Sequence, residues 1–578
     1  MAYFLKKSKN NKGTYLQIYE SFYDPERKGT AQRSIEAIGY VHELQETGIE
    51  DPVSHFRSKV DVMNAERRAE KNIKRARRIG DESPMRHLGY FPFKSLNSLL
   101  GVEGDFKYLQ MAGGFKFDLF SLLSSLVYAR ICEPCSKSKT FHDVLPMLFE
   151  DKGYSLDQLY AGLEFLGAEY AKVIEMYNHA IEMRWPRDTS RTYFDCTNFY
   201  FEIDREDSLR RKGPSKENRR DPIVGMGLLL DAECIPIGMK IFPGNESEKP
   251  VIRDVVADMR RRTGTTGKVV RVADKGLNCA DNVVDAVLSG DGYIFSKSVK
   301  QLPEKEMAWV LGEEDWVEVF DNEGKLRYRY KEVSDNFDYQ VTKENGKKTT
   351  VPLPEKRIVT FNPKLAKKQR AEIDRQVEKA RKLRVAQAKK SEYGDSAKYV
   401  TFLSVDDNGE QSDAKVACTL NREAIARARA LAGFNMLVTS EKKLCSNEIY
   451  DIYHNLWRIE ETFKVMKSEL DARPVFLQKQ DSITGHFLIC YLAVLLLRLL
   501  QVKVLEDKFC SEQIMAFARG FNIVKSTERN YINMSKSSKL VSKLEHITGE
   551  PLGNYYLKTS EINGILNAKL NVSTQDKP

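Results

Sequence analysis

The segment Asn447-Glu-Ile-Tyr-Asp-Ile-Tyr-His-Asn-Leu-Trp-Arg-Ile-Glu-Glu-Thr-Phe-Lys-Val-Met-Lys-Ser-Glu-Leu470 spaces three reactive side chains seven residues apart. At helical spacing, Ile449, Ile452, Tyr453, Leu456, Ile459, Phe463, Met466 and Leu470 form one apolar stripe. Glu460 falls inside that stripe, where a carboxylate needs a partner. Tyr453 lies seven residues before it and Lys467 seven after, about two turns each way, so the three point one way. Glu461 is expected about 100° round, on the polar side. An acid, a phenol and an ammonium on one inward face make a candidate site.

Two further acids stand against their surroundings. Asp195 sits among aromatics in Tyr193-Phe-Asp-Cys-Thr-Asn-Phe-Tyr-Phe-Glu202, a strand pattern that disfavours Asp, with Thr197 on the same face. Asp274 closes the apolar strand Lys268-Val-Val-Arg-Val-Ala-Asp274, before Lys275, Gly276 and Asn278. Acids at the C-terminal ends of strands build sites in α/β proteins. Each also has a plain reading: a strand-end acid for Asp195, a helix-entry cap for Asp274, a salt bridge for Lys467.

The elements around them read in a definite order. Strands are expected over residues 193–202, 222–230 and 234–242, a helix over 248–262, a strand over 268–274, a helix over 281–288 and a strand over 292–299. The order β-β-β-α-β-α-β matches a ribonuclease H-like core. In that arrangement the first and fourth strands are neighbours, which sets Asp195 beside Asp274. About 130 residues then interrupt the core, with short alternating runs and a charged helix from about Pro363 to Lys390, most simply a solvated arm, otherwise a weak coiled-coil partner or a DNA-facing helix. A strand at 434–439 returns, and the helix after it is expected to bring Glu460 to the same end. The fold expected is therefore α/β: a ribonuclease H-like catalytic core interrupted by a β-rich insertion, with mainly helical flanking regions.

Three carboxylates gathered this way repel one another, and their pKa values rise unless cations neutralise them. Oxygen ligands without His or Cys select Mg2+ or Mn2+. Two such ions about 3.5–4 Å apart activate a nucleophile and stabilise a leaving oxygen in phosphodiester displacement. His454 and His486 are expected to be ordinary polar residues of helices.

Elsewhere, residues 14–23 and 30–40 read as a strand pair around Asp24-Pro-Glu-Arg-Lys-Gly29. Residues 64–79 form a basic helical run, either a solvated face or a phosphate-contacting stripe. Residues 115–184 read as a helical bundle, and 480–578 as mostly helical, with a polar tail after Lys569. Net charge is +9, from 91 basic and 82 acidic residues, which is compatible with nucleic acid without proving it. Nine cysteines include one Cys132-Glu-Pro-Cys135, a weak metal signal, and their odd count fits a reducing cytoplasm. The start Met-Ala-Tyr-Phe-Leu-Lys-Lys is too short and charged for a signal peptide. The apolar run Phe487–Leu500 is expected to be a buried core helix, too short to span a bilayer, and no membrane anchor is implied.

With these residues in hand, the chain resembles the DDE transposases of bacterial insertion sequences, and among them the insertion-sequence-four superfamily. That group's last motif is Tyr-x2-Arg-x3-Glu-x6-Lys. The matching positions are Tyr453, Leu456, Glu460 and Lys467, so the Arg position is a departure, and Arg458 lies on another face. Asp195-x-Thr197 resembles the first acid motif and Ala273-Asp274-Lys-Gly276 the second. Phe242-Pro-Gly-Asn245 and Val438-Thr-Ser440 are similar pieces. The resemblance covers about 190–500 well, and extends loosely to the first strands and to Arg130-Ile-Cys-Glu-Pro-Cys-Ser-Lys137.

The resemblance implies Asp195, Asp274 and Glu460 as catalytic residues holding two Mg2+ (or Mn2+) ions, with Tyr453 and Lys467 on DNA phosphates. It implies double-stranded DNA as partner (terminal inverted repeats and target) and a homodimer in the DNA complex, in the cytoplasm at the nucleoid. The regions that follow are 1–60, small, β-containing and DNA-binding; 61–188, basic, helical and DNA-binding; 189–300, first part of the core; 301–430, the insertion; 431–500, second part of the core; and 501–578, helical. A nuclease without strand transfer and a non-catalytic DNA-binding descendant are the alternatives.

Overall fold

The computed structural model of the chain describes residues 2–24, 27, 29–76, 83–217, 219–263, 267–342, 346–385, 390–404, 415–527 and 529–571. It falls into two units, Met1–Pro84 and Met85–Pro578.

The first unit is an antiparallel sheet, β1 (Tyr3–Asn10), β2 (Gly13–Asp24) and β3 (Gly29–Tyr40), with a helix over Pro52–Ala76. The sequence pattern led to two of these strands. It missed β1 because Lys6, Lys7 and Lys9 give it the charged texture of an edge strand. Leu16, Ile18 and Glu20 alternate along β2 and are buried. Glu20 is paired with Arg67 of the helix at 2.7 Å and with Arg33 of β3 at 2.8 Å. Arg67 of the basic run thus holds the unit together. Residues 77–79 of that run lie outside the described residues, and the boundary expected at 60/61 falls inside this helix.

The second unit is built on a nine-stranded mixed sheet. In chain order its strands are β5 (Arg191–Tyr200), β6 (Ile223–Leu230), β7 (Pro236–Pro243), β8 (Val270–Ala273), β9 (Gly292–Lys297), β10 (Val317–Phe320), β11 (Leu326–Thr342), β12 (Lys348–Phe361) and β15 (Phe434–Thr439). They follow a short strand β4 (Met85–His87) and enclose the hairpin β13 (Val400–Ser404) and β14 (Lys415–Leu420). The spatial order is β10-β11-β12-β15-β9-β8-β5-β6-β7. β5 runs antiparallel to β6 and parallel to β8, and β8 runs parallel to β9.

Alternation along β5 sorts its side chains between two layers. Phe194 and Cys196 join the core under the helices Val251–Thr263 and Ala280–Leu288. Tyr193 and Phe199 join the larger core of the helical side, with Ile459 and Phe463. Asp195 and Thr197 share the face of Tyr193 and Phe199 by period two.

The expected insertion does not stand apart from the core. Its long hairpin β11/β12 pairs through β15 onto β9 and extends the same sheet. The charged helix, described over Pro363–Val385, is not a solvated arm. Ile373, Val377 and Ala380 are buried against Tyr399, Ala432 and Tyr393 along a narrow seam. Residues 386–389 of the expected helix, and those from 572 of the expected tail, lie outside the described residues.

The helical side packs around one central helix, Gln480–Leu499, continued by a π turn to Val504. This helix is longer than its apolar run suggested: its 25 residues are long and apolar enough to cross a membrane, but 89% of the apolar window is buried inside the protein. It is the core of the bundle. Its backbone touches the helix Leu156–Ala168 at glycines. A Cβ at Gly167 would come 1.7 Å from the Asp481 carbonyl oxygen, and one at Gly485 would come 2.3 Å from that of Leu163. Beyond it, the region expected to be helical also forms β16 (Asn522–Lys525), β17 (Asn530–Asn533) and β18 (Tyr556–Lys558), and β16 pairs with β4.

Candidate active site

The register of β5 and β8 sets two acids side by side. Phe194 is level with Ala273, so the next step along both strands brings Asp195 level with Asp274. Asp195 accepts a hydrogen bond from the Cys196 N–H at 2.7 Å. Burial pushes its carboxyl up to about 6, against the pull of the Lys216 ammonium and the Cys196 N–H; the Glu248 and Asp274 charges push it further up. A carboxylate in that state stands to gain from a cation.

Asp274 follows β8 at a turn, where the Leu277 N–H donates to its carbonyl at 3.0 Å. Its carboxylate accepts a hydrogen bond from the Tyr453 hydroxyl at 3.0 Å. Burial, then the Asp274 charge, holds the Tyr453 phenol well above its ordinary range, and the Glu460 charge adds to this. Tyr453 therefore stays protonated and donates.

The helix carrying these residues is broken, and the glutamates do not stand as expected, although the apolar stripe around them is buried on both sides of the break. One helix spans Ser446–His454, a second Trp457–Lys464, and a π turn follows over Val465–Glu469. Counting in sevens assumes an uninterrupted helix. In the structure Glu460 is exposed rather than enclosed by the apolar stripe. Glu461 is the residue drawn inward, with its side chain 20% exposed. It accepts from the buried Arg498 guanidinium at 2.9 Å and from the Ser511 hydroxyl at 3.0 Å. Arg498 also donates to Thr462 at 3.1 Å and Gln501 at 2.6 Å.

Lys467 is reached by the charge of Asp195, and burial pulls its ammonium down to about 8, with the like charge of Lys216 acting in the same direction. Its direct partner is Glu217, at 3.3 Å, so the salt bridge considered for it is present. Arg473 binds the same carboxylate. Leu456 is buried, and Arg458 is paired with Asp507 and Glu461 away from the acids. His454 bonds the Tyr450 carbonyl at 2.8 Å. His486 is buried 3.2 Å from both the Lys137 ammonium and the Ala472 carbonyl. Cys132 and Cys135 are free thiols.

Sequence reading missed three residues here: Lys216, Glu217 and Glu248. Lys216 pairs with Glu248 at 3.5 Å and donates to the Cys196 carbonyl. The first two lie in the connection from β5 to β6, and Glu248 lies just past the Phe242–Asn245 turn. That turn was the one signal that could have drawn attention to Glu248. Among the described residues no group of three or more His, Cys, Asp or Glu side chains stands ready to hold a metal ion. The pair Asp195 and Asp274 offers hard oxygen donors suited to a divalent cation, while Glu460 stands on the neighbouring helix.

A family model described as a transposase DDE domain matches residues 201–496, just over half the chain. The chain belongs to the DDE transposase family. The matched span of this transposase contains Asp274, Tyr453, Glu460 and Lys467 and begins just past Asp195. No curated protein matches the transposase chain.

Proposed function

We propose that the chain cuts DNA at the ends of a mobile element and joins the freed 3′-hydroxyl ends to target DNA, using Asp195, Asp274 and Glu460 in a ribonuclease H-like core. The observation that carries this reading is the register of β5 and β8, which levels Asp195, just ahead of the matched transposase DDE domain, with Asp274 inside it. The strand order β7-β6-β5-β8-β9 supports the ribonuclease H-like assignment. The order Tyr453, Glu460, Lys467 supports kinship with the insertion-sequence-four superfamily.

Asp195 and Asp274, joined by Glu460, are the residues that would hold Mg2+ or Mn2+. When bound, two such ions supply charge stabilisation at the attacking and leaving oxygens of a phosphodiester. The chain's own side chains do the rest. The Tyr453 hydroxyl, donating to Asp274, orients that carboxylate. The Lys467 ammonium, near Asp195, balances phosphate charge. Water displaces the 3′-oxygen at the element end, and the freed hydroxyl then displaces a 3′-oxygen of target DNA. One phosphodiester breaks for each one formed in the second step, so no external energy is needed. Paired element ends call for a homodimer on DNA, acting in the cytoplasm at the nucleoid.

The test uses purified protein, Mg2+ and a labelled duplex ending in a precleaved 3′-hydroxyl. Joined products are expected, and Asp274→Asn is expected to abolish them while leaving the fold intact by circular dichroism. Cleavage without any joined product would reduce the reading to a nuclease. Full joining by Asp274→Asn would remove the acid assignment.

A further inference from the structure

Lys467 and Arg473 bind a single oxygen of one carboxylate, Oε1 of Glu217. Their side chains are 14%, 23% and 28% exposed in the order Lys467, Arg473, Glu217, so the group is partly covered and still open to solvent. Two cations face the Glu217 carboxylate, and the Asp195 and Lys216 charges also reach Lys467. Lys467 also lies over the Phe199 ring, 5.4 Å from its centroid, and Arg473 over Tyr200 at 5.5 Å. Both rings belong to β5, the strand that carries Asp195. The arrangement therefore offers an ammonium, a guanidinium and aromatic walls on the acid's own strand, with a monoanion already between the cations.

A phosphodiester is also a monoanion with oxygens that take the same donors, and Arg and Lys are its usual partners. Glu217 sits in the connection between β5 and β6 rather than within either strand. Its departure would break no strand pairing.

We propose that Lys467 and Arg473 form the seat of a DNA phosphate beside Asp195, and that the Glu217 carboxylate occupies this seat until DNA displaces it. The inference rests on the DNA-cutting reading above. It adds Arg473 as a phosphate-binding residue and Glu217 as a built-in competitor. Neither sequence motif nor family match assigns these roles.

The test is equilibrium binding of a labelled duplex oligonucleotide to the full chain over a salt series. Glu217→Gln is expected to bind roughly twofold to fivefold tighter at low salt, the gain expected when a partly exposed ion pair no longer competes. Arg473→Ala is expected to bind more weakly and to lower the slope of log affinity against log salt by about 1. Arg473→Lys, which keeps the charge, is expected to retain the slope and guards against misfolding of the Ala variant. With both Lys467 and Arg473 changed to Ala, Glu217→Gln should bring no gain.

If Glu217→Gln binds no tighter, or if its gain survives loss of both cations, the seat is overturned. If the unmodified protein binds and joins DNA while Arg473→Ala leaves affinity and slope unchanged, the seat alone falls. If the unmodified protein neither binds nor cuts DNA, the underlying reading falls with it.

Discussion

Arg498 decides which of two adjacent glutamates is free. Its guanidinium is buried at 1% exposure and takes Glu461, leaving Glu460 exposed. Removing one partner of such a pair strands the other's charge, so Arg498→Met is expected to cost about 3–5 kcal/mol by thermal or urea unfolding. Glu460→Gln should leave the thermal midpoint unmoved and remove DNA cleavage. The opposite pattern would exchange the roles of the two glutamates. Lys137 gives a pH prediction. It is buried with Arg130 and His486, and burial, then the Arg130 charge, pulls it down to about 7 from an ordinary 10.5. Between those values the unfolded chain carries a proton that the folded chain lacks, so this group's contribution to stability rises with pH across the window and is lowest below pH 7. Lys137→Met is therefore expected to raise the midpoint most near pH 6, with the gain fading toward pH 10. A gain independent of pH would contradict this.

The strands of the core were legible because each carries its own period. β5, β6 and β8 read as apolar or alternating runs, and their chain order alone placed Asp195 near Asp274. The direction of Glu460 was not legible. The break at Asn455–Leu456 contains no Gly or Pro to announce it; the stripe stays buried on both sides, from Ile449 and Ile452 to Ile459, Phe463 and Met466, and Glu460 at its margin is exposed. Leu456 was legible both as a departure from the family's Arg and in its direction: the apolar stripe placed it inward, and it is buried in the main core. The insertion's place in the sheet was hidden because strand pairing is non-local, and Glu217 and Glu248 were hidden because loops have no period. The docking of the insertion rests on Glu355 of β12, fully buried. It accepts from the Tyr293 hydroxyl of β9 at 2.7 Å and from Arg357 at 2.7 Å. Tyr339 of β11 donates to it as well. Glu355→Ala is expected to cost about 1–3 kcal/mol, read from the unfolding midpoint, because it strands the Tyr293 and Tyr339 hydroxyls while Arg357 keeps Glu306 at 2.7 Å. A neutral result would mean that the hairpin is held by its strand pairing alone.

Over the whole molecule, the second unit closes on itself through β4. Residues 85–87 pair with β16 more than 430 positions later, and His87 meets Asn522 at 2.7 Å. A fragment beginning at Pro84 is expected to unfold cooperatively. One beginning at Gly89 loses that strand and should be less stable by about 2–4 kcal/mol, at roughly 1 kcal/mol per hydrogen bond, as thermal melts of the two fragments would show. Equal midpoints would make β4 dispensable. The central helix Gln480–Val504 carries a different consequence, one for the order of synthesis. It is apolar enough to pass for a membrane span, yet it emerges late in the chain. The helices that line its slot, Leu119–Cys132 and Leu156–Ala168, are made more than 300 residues earlier. Each unit folds as a whole, and the slot and its occupant belong to the same unit. The slot, with Gly167 cleared for the Asp481 carbonyl, therefore closes only once the central helix has left the ribosome. The greasiest segment of this protein is also the last of the three to be made, and its burial waits on no later helix of that slot.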